Sequence, residues 1–242
     1  MPVGLILAGA SVVAGAIAAV TGFGIGSLLT PVLAFQTGTK LAVAAVAIPH
    51  FVATAQRFWI LRRHLDRRVL LRFGLASAAG GLLGALLHIW VSSRSLAMVF
   101  GVLLILAGLS ELTGWMQQVH WGRSAAWTAG VLSGMLGGLV GNQGGIRSAA
   151  MLGFDVPKES FVATATAIGL FVDGARLPVY LVTQGREIAG VWPLVLMATI
   201  GVVLGTVLGT RLLGRIPQRT FRRAVAVLLV VLGGYMAAAG GR

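Results

Sequence analysis

Long apolar stretches alternate along the chain with short polar ones, most of which carry arginine. The apolar runs cover 3–36, 41–61, 69–91, 96–113, 125–153, 160–183, 188–210 and 221–239. No Asp, Glu, Lys or Arg occurs between Met1 and Thr39, or between Phe73 and Ser93. A hydrocarbon core about 30 Å thick takes about 20 apolar residues of helix, so the runs have the length to span or enter a bilayer. They are continuous rather than alternating with a period of two, which excludes outer-membrane barrel strands. The pattern predicts an all-α integral membrane protein.

Displaced by 119 positions, the chain falls on itself. Gly15 meets Gly134, Gly22 meets Gly141, Gly26 meets Gly145 and Arg57 meets Arg176. The order is the same in each half: a glycine-rich stretch, a charged turn, an apolar helix ending near an arginine, then two more apolar helices. The halves are therefore 1–118 and 119–242. The first holds a hairpin over 3–36 and helices 41–61, 69–91 and 96–113; the second holds a hairpin over 125–153 and helices 160–183, 188–210 and 221–239.

Charge placement orients these elements. Arg62, Arg63, Arg67, Arg68 and Arg72 fill the loop 62–72, and Arg211, Arg215, Arg219, Arg222 and Arg223 fill 211–223. Positive charge collects on the cytoplasmic side, so both loops belong there. The number of crossings between them is consistent only if 125–153 enters and leaves on one face, broken around Gly141–Gly145, with 3–36 its equivalent, broken around Gly22–Gly26. Three spanning helices per half then make the second half inverted relative to the first. Twelve of the 19 Lys and Arg fall inside, and only Lys40, Arg94, Arg186 and Arg242 outside. Trp59, Trp90, Trp115, Trp121 and Trp192 fall near predicted helix ends, as in an aromatic belt.

Composition narrows the classes further. Of 242 residues, 57% are hydrophobic and 10% charged, against about 25% charged in soluble domains. The net charge of +13 lies in short loops between apolar runs, which fits membrane orientation and not nucleic-acid binding. With no cysteine, disulfides and thiolate metal sites are excluded. The start Met-Pro-Val-Gly lacks the basic region of a signal peptide and reads as part of the mature protein. Gly80/Gly84, Gly130/Gly134 and Gly205/Gly209 have the small-xxx-small spacing of tight helix packing.

Inverted repeats with interrupted helices are how secondary transporters are built, with the substrate site where the helices break. The first break reads Thr21-Gly22-Phe23-Gly24-Ile25-Gly26-Ser27, and the second Gly141-Asn142-Gln143-Gly144-Gly145-Ile146-Arg147-Ser148. Glycine lets backbone N–H groups approach a ligand, and the half-helix that follows presents unsatisfied N–H groups and a positive dipole end to an anion. Gly22, Phe23, Gly24, Gly26, Asn142, Gln143, Gly144, Gly145 and Arg147 are thus candidates for binding a small anion. Arg147 is an ion at membrane depth, which points to function, although a snorkelling arginine would read the same way. Arg57 and Arg176 occupy matching positions toward opposite faces and suit basic vestibules or gates. Asp173, three residues before Arg176, can pair with it. His50 titrates in the range of a proton relay, so His50 and Asp173 are candidates for proton coupling, with a structural histidine and a structural ion pair as the alternatives. No metal or cofactor site is indicated. HExxH, P-loop and GxSxG motifs are absent, and nothing unites Ser27 with His50, so no enzyme is expected.

The two glycine clusters, Pro31 five residues after the first, and the basic loops resemble the sulfite exporter TauE/SafE family over essentially the whole chain. The resemblance implies a multi-pass transporter of the bacterial inner membrane. Its substrates would be small sulfur-containing or organic anions such as sulfite and sulfonates, in proton-linked export or uptake. Members show a Gly-x-Gly-Gly-Gly cluster followed by Pro in both halves. Here Ile25 interrupts the first cluster and Gln143 the second, Ala150 stands where Pro31 would align, and Leu28 stands opposite Arg147. These departures bear on the substrate rather than the fold. An anion channel and a non-transporting assembly protein remain as alternatives, and a homodimer is left open.

Overall fold

A computed structural model describes residues 2–21, 24–115, 123–141, 144, 147, 151, 157–212 and 218–241. Apart from short turns and breaks, these residues are helical. Helix α1 spans Pro2–Thr21 and α2 spans Ile25–Leu61; α3 spans Arg67–Trp90; α4 spans Ser93–Thr113 and α5 spans Arg123–Val140. Helix α6 spans Lys158–Gly190, α7 spans Trp192–Leu212 and α8 spans Gln218–Gly241. Among the described residues, five helices are long and apolar enough to cross a membrane: parts of α2, α3, α4, α6 and α7. Shorter apolar helices lie within α1, α5 and α8.

The breaks fall where glycine allows them. Gly24, at the start of α2, has φ 119, and Gly141, just after α5, has φ 77. Both are in the left-handed region, where a side chain is strained. Helix α2 is itself interrupted at Gly38 (φ 75, ψ 158), so 25–37 and 39–61 are two helices joined across a kink. Helix α6 carries a similar interruption at Gln184. The side chain of Asp66 starts α3 by accepting from the N–H groups of Arg68 and Val69, and that of Ser92 caps α4 by accepting from Ser95, as N-cap residues do.

Packing is pairwise. Helix α1 lies along α7, α3 along α5, and α4 along α8, while α2 and α6 face each other at the centre. Positions rise together along the second pair: Phe73 meets Gly130, Ser77 meets Gly134 and Gly81 meets Gly138. Glycines make these seams. A Cβ at Gly101 would come within 2.6 Å of the Gly233 carbonyl oxygen, and one at Gly26 within 2.5 Å of that of Gly141. The second contact brings the two breaks together inside the bundle.

The outside is apolar and the inside holds charge. Trp90 is 85% exposed, Val182 87% and Leu5 77%, whereas Asp173 is fully buried. In water that distribution would be strongly destabilising; in lipid it is the stable one. The two ends of the bundle are also separable. The Lys40 ammonium donates to the Ile89 carbonyl at 2.6 Å and its backbone N–H to Ser93 Oγ at 3.2 Å, so the Gly38 interruption sits with the α3–α4 turn. At the other end, the Asp66 N–H donates to Thr164 Oγ1 at 3.0 Å, beside the arginine-rich turn between α2 and α3.

Candidate functional site

A helix that stops inside a protein leaves its last carbonyls without intrahelical partners. At the end of α5 three successive carbonyls are met by side chains, Gly137 O while also accepting from the Gly141 N–H at 2.9 Å. Arg176 Nη1 donates to Gly137 O at 2.8 Å, the Tyr180 hydroxyl to Gly138 O, and His88 Nδ1 to Leu139 O at 2.7 Å. Arg176 and Tyr180 lie one turn apart on α6, and His88 reaches across from α3. At the end of α1, Arg57 Nη1 donates to Ala18 O at 2.6 Å. The arginine-to-carbonyl contacts of Arg57 and Arg176 each bridge 39 residues of chain.

Between the two central helices lies a cluster of charge. Asp173 Oδ1 accepts from Arg176 Nε at 3.0 Å and Nη2 at 2.8 Å. Its Oδ2 accepts from His50 Nδ1 at 2.7 Å, a nitrogen that also lies 3.4 Å from Thr54 Oγ1. A carboxylate only accepts, so His50 carries its proton on Nδ1. Arg147 is 5% exposed, and its Nε and Nη1 have no hydrogen-bond partner. Its guanidinium lies against Gly169, where an added Cβ would come within 2.9 Å of Nη1. Arg57 Nε and Gln56 Oε1 are likewise buried without partners. An ion held this way costs several kcal/mol unless something supplies the missing contacts.

One cavity of about 330 Å³ opens beside this cluster, lined by Ala18, Gln56, Arg57, Thr166 and Thr206 among others. Thr166 lies one turn before Gly169 on α6. A second, of about 390 Å³, sits at the opposite end against Gly38, Thr39, Ser93 and Arg94.

The chain matches the family model described as sulfite exporter TauE/SafE over residues 7–236. It belongs to that family. No curated protein and no solved structure matches it. As a TauE/SafE member it is a multi-pass membrane transporter of the sulfite-exporter type, and not an enzyme. The membrane and an anionic substrate are its implied partners.

The residues singled out in the sequence come together only in part. Gly24 and Gly26 lie at the first break, and Gly141 and buried Gly144 at the second. Gly22, Phe23, Asn142, Gln143 and Gly145 lie outside the described residues. His50, Asp173 and Arg176 form one hydrogen-bonded chain, with the i,i+3 pairing anticipated for Asp173 and Arg176. Arg57 is 8% exposed and borders a cavity. Arg176 is 1% exposed, with its nitrogens engaged by Asp173 and Gly137. Sequence reasoning passed over Tyr180 and His88, whose partners are backbone carbonyls. It also passed over Gly169, although the 119-residue displacement sets Gly169 opposite His50.

Proposed function

We propose that the chain is a secondary transporter moving a small sulfur-containing oxyanion, sulfite or an organosulfonate, across the bacterial inner membrane by alternating access, linked to protons. Residues 1–118 and 119–242 are its two inverted halves. Helix packing supports this. The contact of α1 with α7 and that of α5 with α3 are one arrangement with the halves interchanged, while α2 pairs with α6 and α4 with α8. The matching contacts of Arg57 with Ala18 and Arg176 with Gly137 support it at the level of atoms.

The carrying observation is Arg147, a buried guanidinium with two nitrogens unpartnered beside a helix break. An oxyanion supplies strong charge-assisted acceptors. The glycine breaks add backbone N–H groups at the start of α2, which have no intrahelical acceptor. Gly22, Phe23, Gly24, Gly26, Asn142, Gln143, Gly144, Gly145 and Arg147 make up the binding site. Arg57 faces the cytoplasmic vestibule, Arg176 holds the end of α5, and His50 with Asp173 handles the proton.

Sulfite flux into proteoliposomes containing the purified protein tests the reading. Arg147→Ala is expected to abolish saturable flux while the protein still inserts and elutes as a single species. Unchanged flux in that variant removes the anion site.

A further inference from the structure

We propose that the cavity of about 330 Å³ at the end of α2 binds the head of one anionic phospholipid, which enters sideways from the adjoining leaflet and sets its phosphate on Arg57. This goes beyond the transporter reading, since the lipid is a resident ligand separate from the cargo.

The cavity wall is of two kinds. Ile60, Leu61, Val162 and Val207 make it apolar, while Gln56 and Arg57 give it polar groups. Arg57 is fixed into that wall: its Nη1 donates to Ala18 O at 2.6 Å, and Ala18 is itself a lining residue. Two buried polar atoms on this wall have no partner, the donor Nε of Arg57 and the acceptor Oε1 of Gln56. Among the described residues Asp173 is bridged to His50 and Arg176, and Arg57 has no carboxylate in contact. Guanidinium stays protonated in proteins, so this charge is not relieved by losing a proton. A buried ion without a counter-ion is strongly destabilising, and an anion in the cavity removes that cost.

The position of the cavity decides which anion. Ile60 is 68% exposed, Val207 47% and Val162 39%; in a bilayer these side chains face acyl chains, so the cavity reaches the lipid-facing side of the bundle. Arg57 precedes Arg62 by five residues, about 7 Å along a helix axis. Between them Trp59 is 65% exposed, with its ring 3.7 Å from the Arg62 guanidinium carbon, the arrangement of an aromatic ring at the membrane–water interface. The Arg57 guanidinium thus lies near the depth of lipid head groups. A small soluble anion would match Arg57 and leave the apolar wall wet. A phospholipid matches the whole lining. Its phosphate oxygens accept from Arg57, a hydroxyl on its head donates to Gln56 Oε1, and its glycerol and first methylenes cover Ile60 and Val207. Basic pockets between membrane helices hold anionic head groups in this way.

Native mass spectrometry of the purified full-length protein in a non-ionic detergent tests this, with phosphatidylglycerol and phosphatidylcholine of the same acyl chains as probes. The wild-type protein is expected to retain one phosphatidylglycerol, bound about fivefold or more tightly than phosphatidylcholine, and Arg57→Gln to bring the two to within about twofold. Val207→Trp narrows the mouth of the cavity and leaves every charge in place. It is expected to lose the bound phosphatidylglycerol as well, and it decides the matter where Arg57→Gln does not fold. Equal retention of both lipids by the wild-type protein overturns the proposal, as does a phosphatidylglycerol preference that survives either substitution. Displacement of the lipid by millimolar sulfite or inorganic phosphate also overturns it, because Arg57 would then answer to any small anion. None of these outcomes bears on the transporter reading, which stands or falls with flux through Arg147→Ala.

Discussion

His50 and Asp173 meet at 2.7 Å across the two central helices, and their bond differs in kind from that of Asp173 with Arg176. Arginine keeps its charge, whereas histidine gains or loses one near neutral pH. A proton on His50 turns an ordinary hydrogen bond between α2 and α6 into an ion pair. A transporter whose halves rock against each other can use that difference, because the proton then biases the contact that movement must break. In His50→Gln the amide still donates to Asp173 but takes up no proton. Exchange of internal for external anion is expected to persist in proteoliposomes, while uphill uptake driven by an imposed pH gradient disappears. Gradient-driven uptake that survives the substitution would show that the proton is carried elsewhere. Of this cluster, Asp173, Arg176 and Arg147 were legible from the chain because ions in apolar runs stand out. Tyr180 and His88 were not, since a side chain satisfying the end of a broken helix leaves no sequence period.

At the scale of elements, glycine does two separable jobs. At Gly24 and Gly141 it permits a positive φ; in the seams it lets backbones touch. A Cβ at Gly138 would come within 2.7 Å of the Ala85 nitrogen, one at Gly134 within 2.7 Å of the Ser77 carbonyl carbon, and one at Gly234 would meet nothing within 4 Å. Gly134→Leu is therefore expected to lower stability by about 2 kcal/mol or more through overpacking, and Gly234→Leu to be neutral. Thermal unfolding in detergent, followed by size-exclusion chromatography, measures the contrast; equal melting temperatures would mean that the α3–α5 seam carries no packing strain. The seams were readable, since Gly80/Gly84 and Gly130/Gly134 line the α3–α5 contact and Gly205/Gly209 the α1–α7 contact. Boundaries were less so. The run 3–36 is split between α1 and the start of α2, and α2 continues into the run 41–61 across a kink at Gly38. The gap between 183 and 188 is a kink at Gln184, with helix continuing to Gly190. Polar residues such as Arg186 and Glu187 look like a loop, yet at a bilayer edge they extend a helix into water.

For the whole molecule, the decisive property is parity. Ile60, Leu61, Thr206 and Val207 line a common cavity, so the far end of α2 and that of α7 lie together at one end of the bundle. Lys40 sits with Ile89 and Ser93 at the other. In the proposed orientation the arginine-rich first end faces the cytoplasm. Because the chain has no cysteine, single introduced cysteines report their own side of the membrane. His64, Glu187 and Arg223 are exposed, and His64 is a better position than Asp66, which caps α3. In intact cells, an impermeant maleimide is expected to label Glu187→Cys directly, and His64→Cys and Arg223→Cys only after permeabilisation. Agreement between positions 64 and 223 requires an even number of crossings between them. Opposition of 187 to both requires that α5 and the stretch after it return to the face they entered. Labelling of His64→Cys from outside, with Glu187→Cys protected, would keep the hairpin and reverse the protein in the membrane. Labelling of positions 64 and 187 from the same side would remove the hairpin itself, and with it the proposed inverted relation of the two halves.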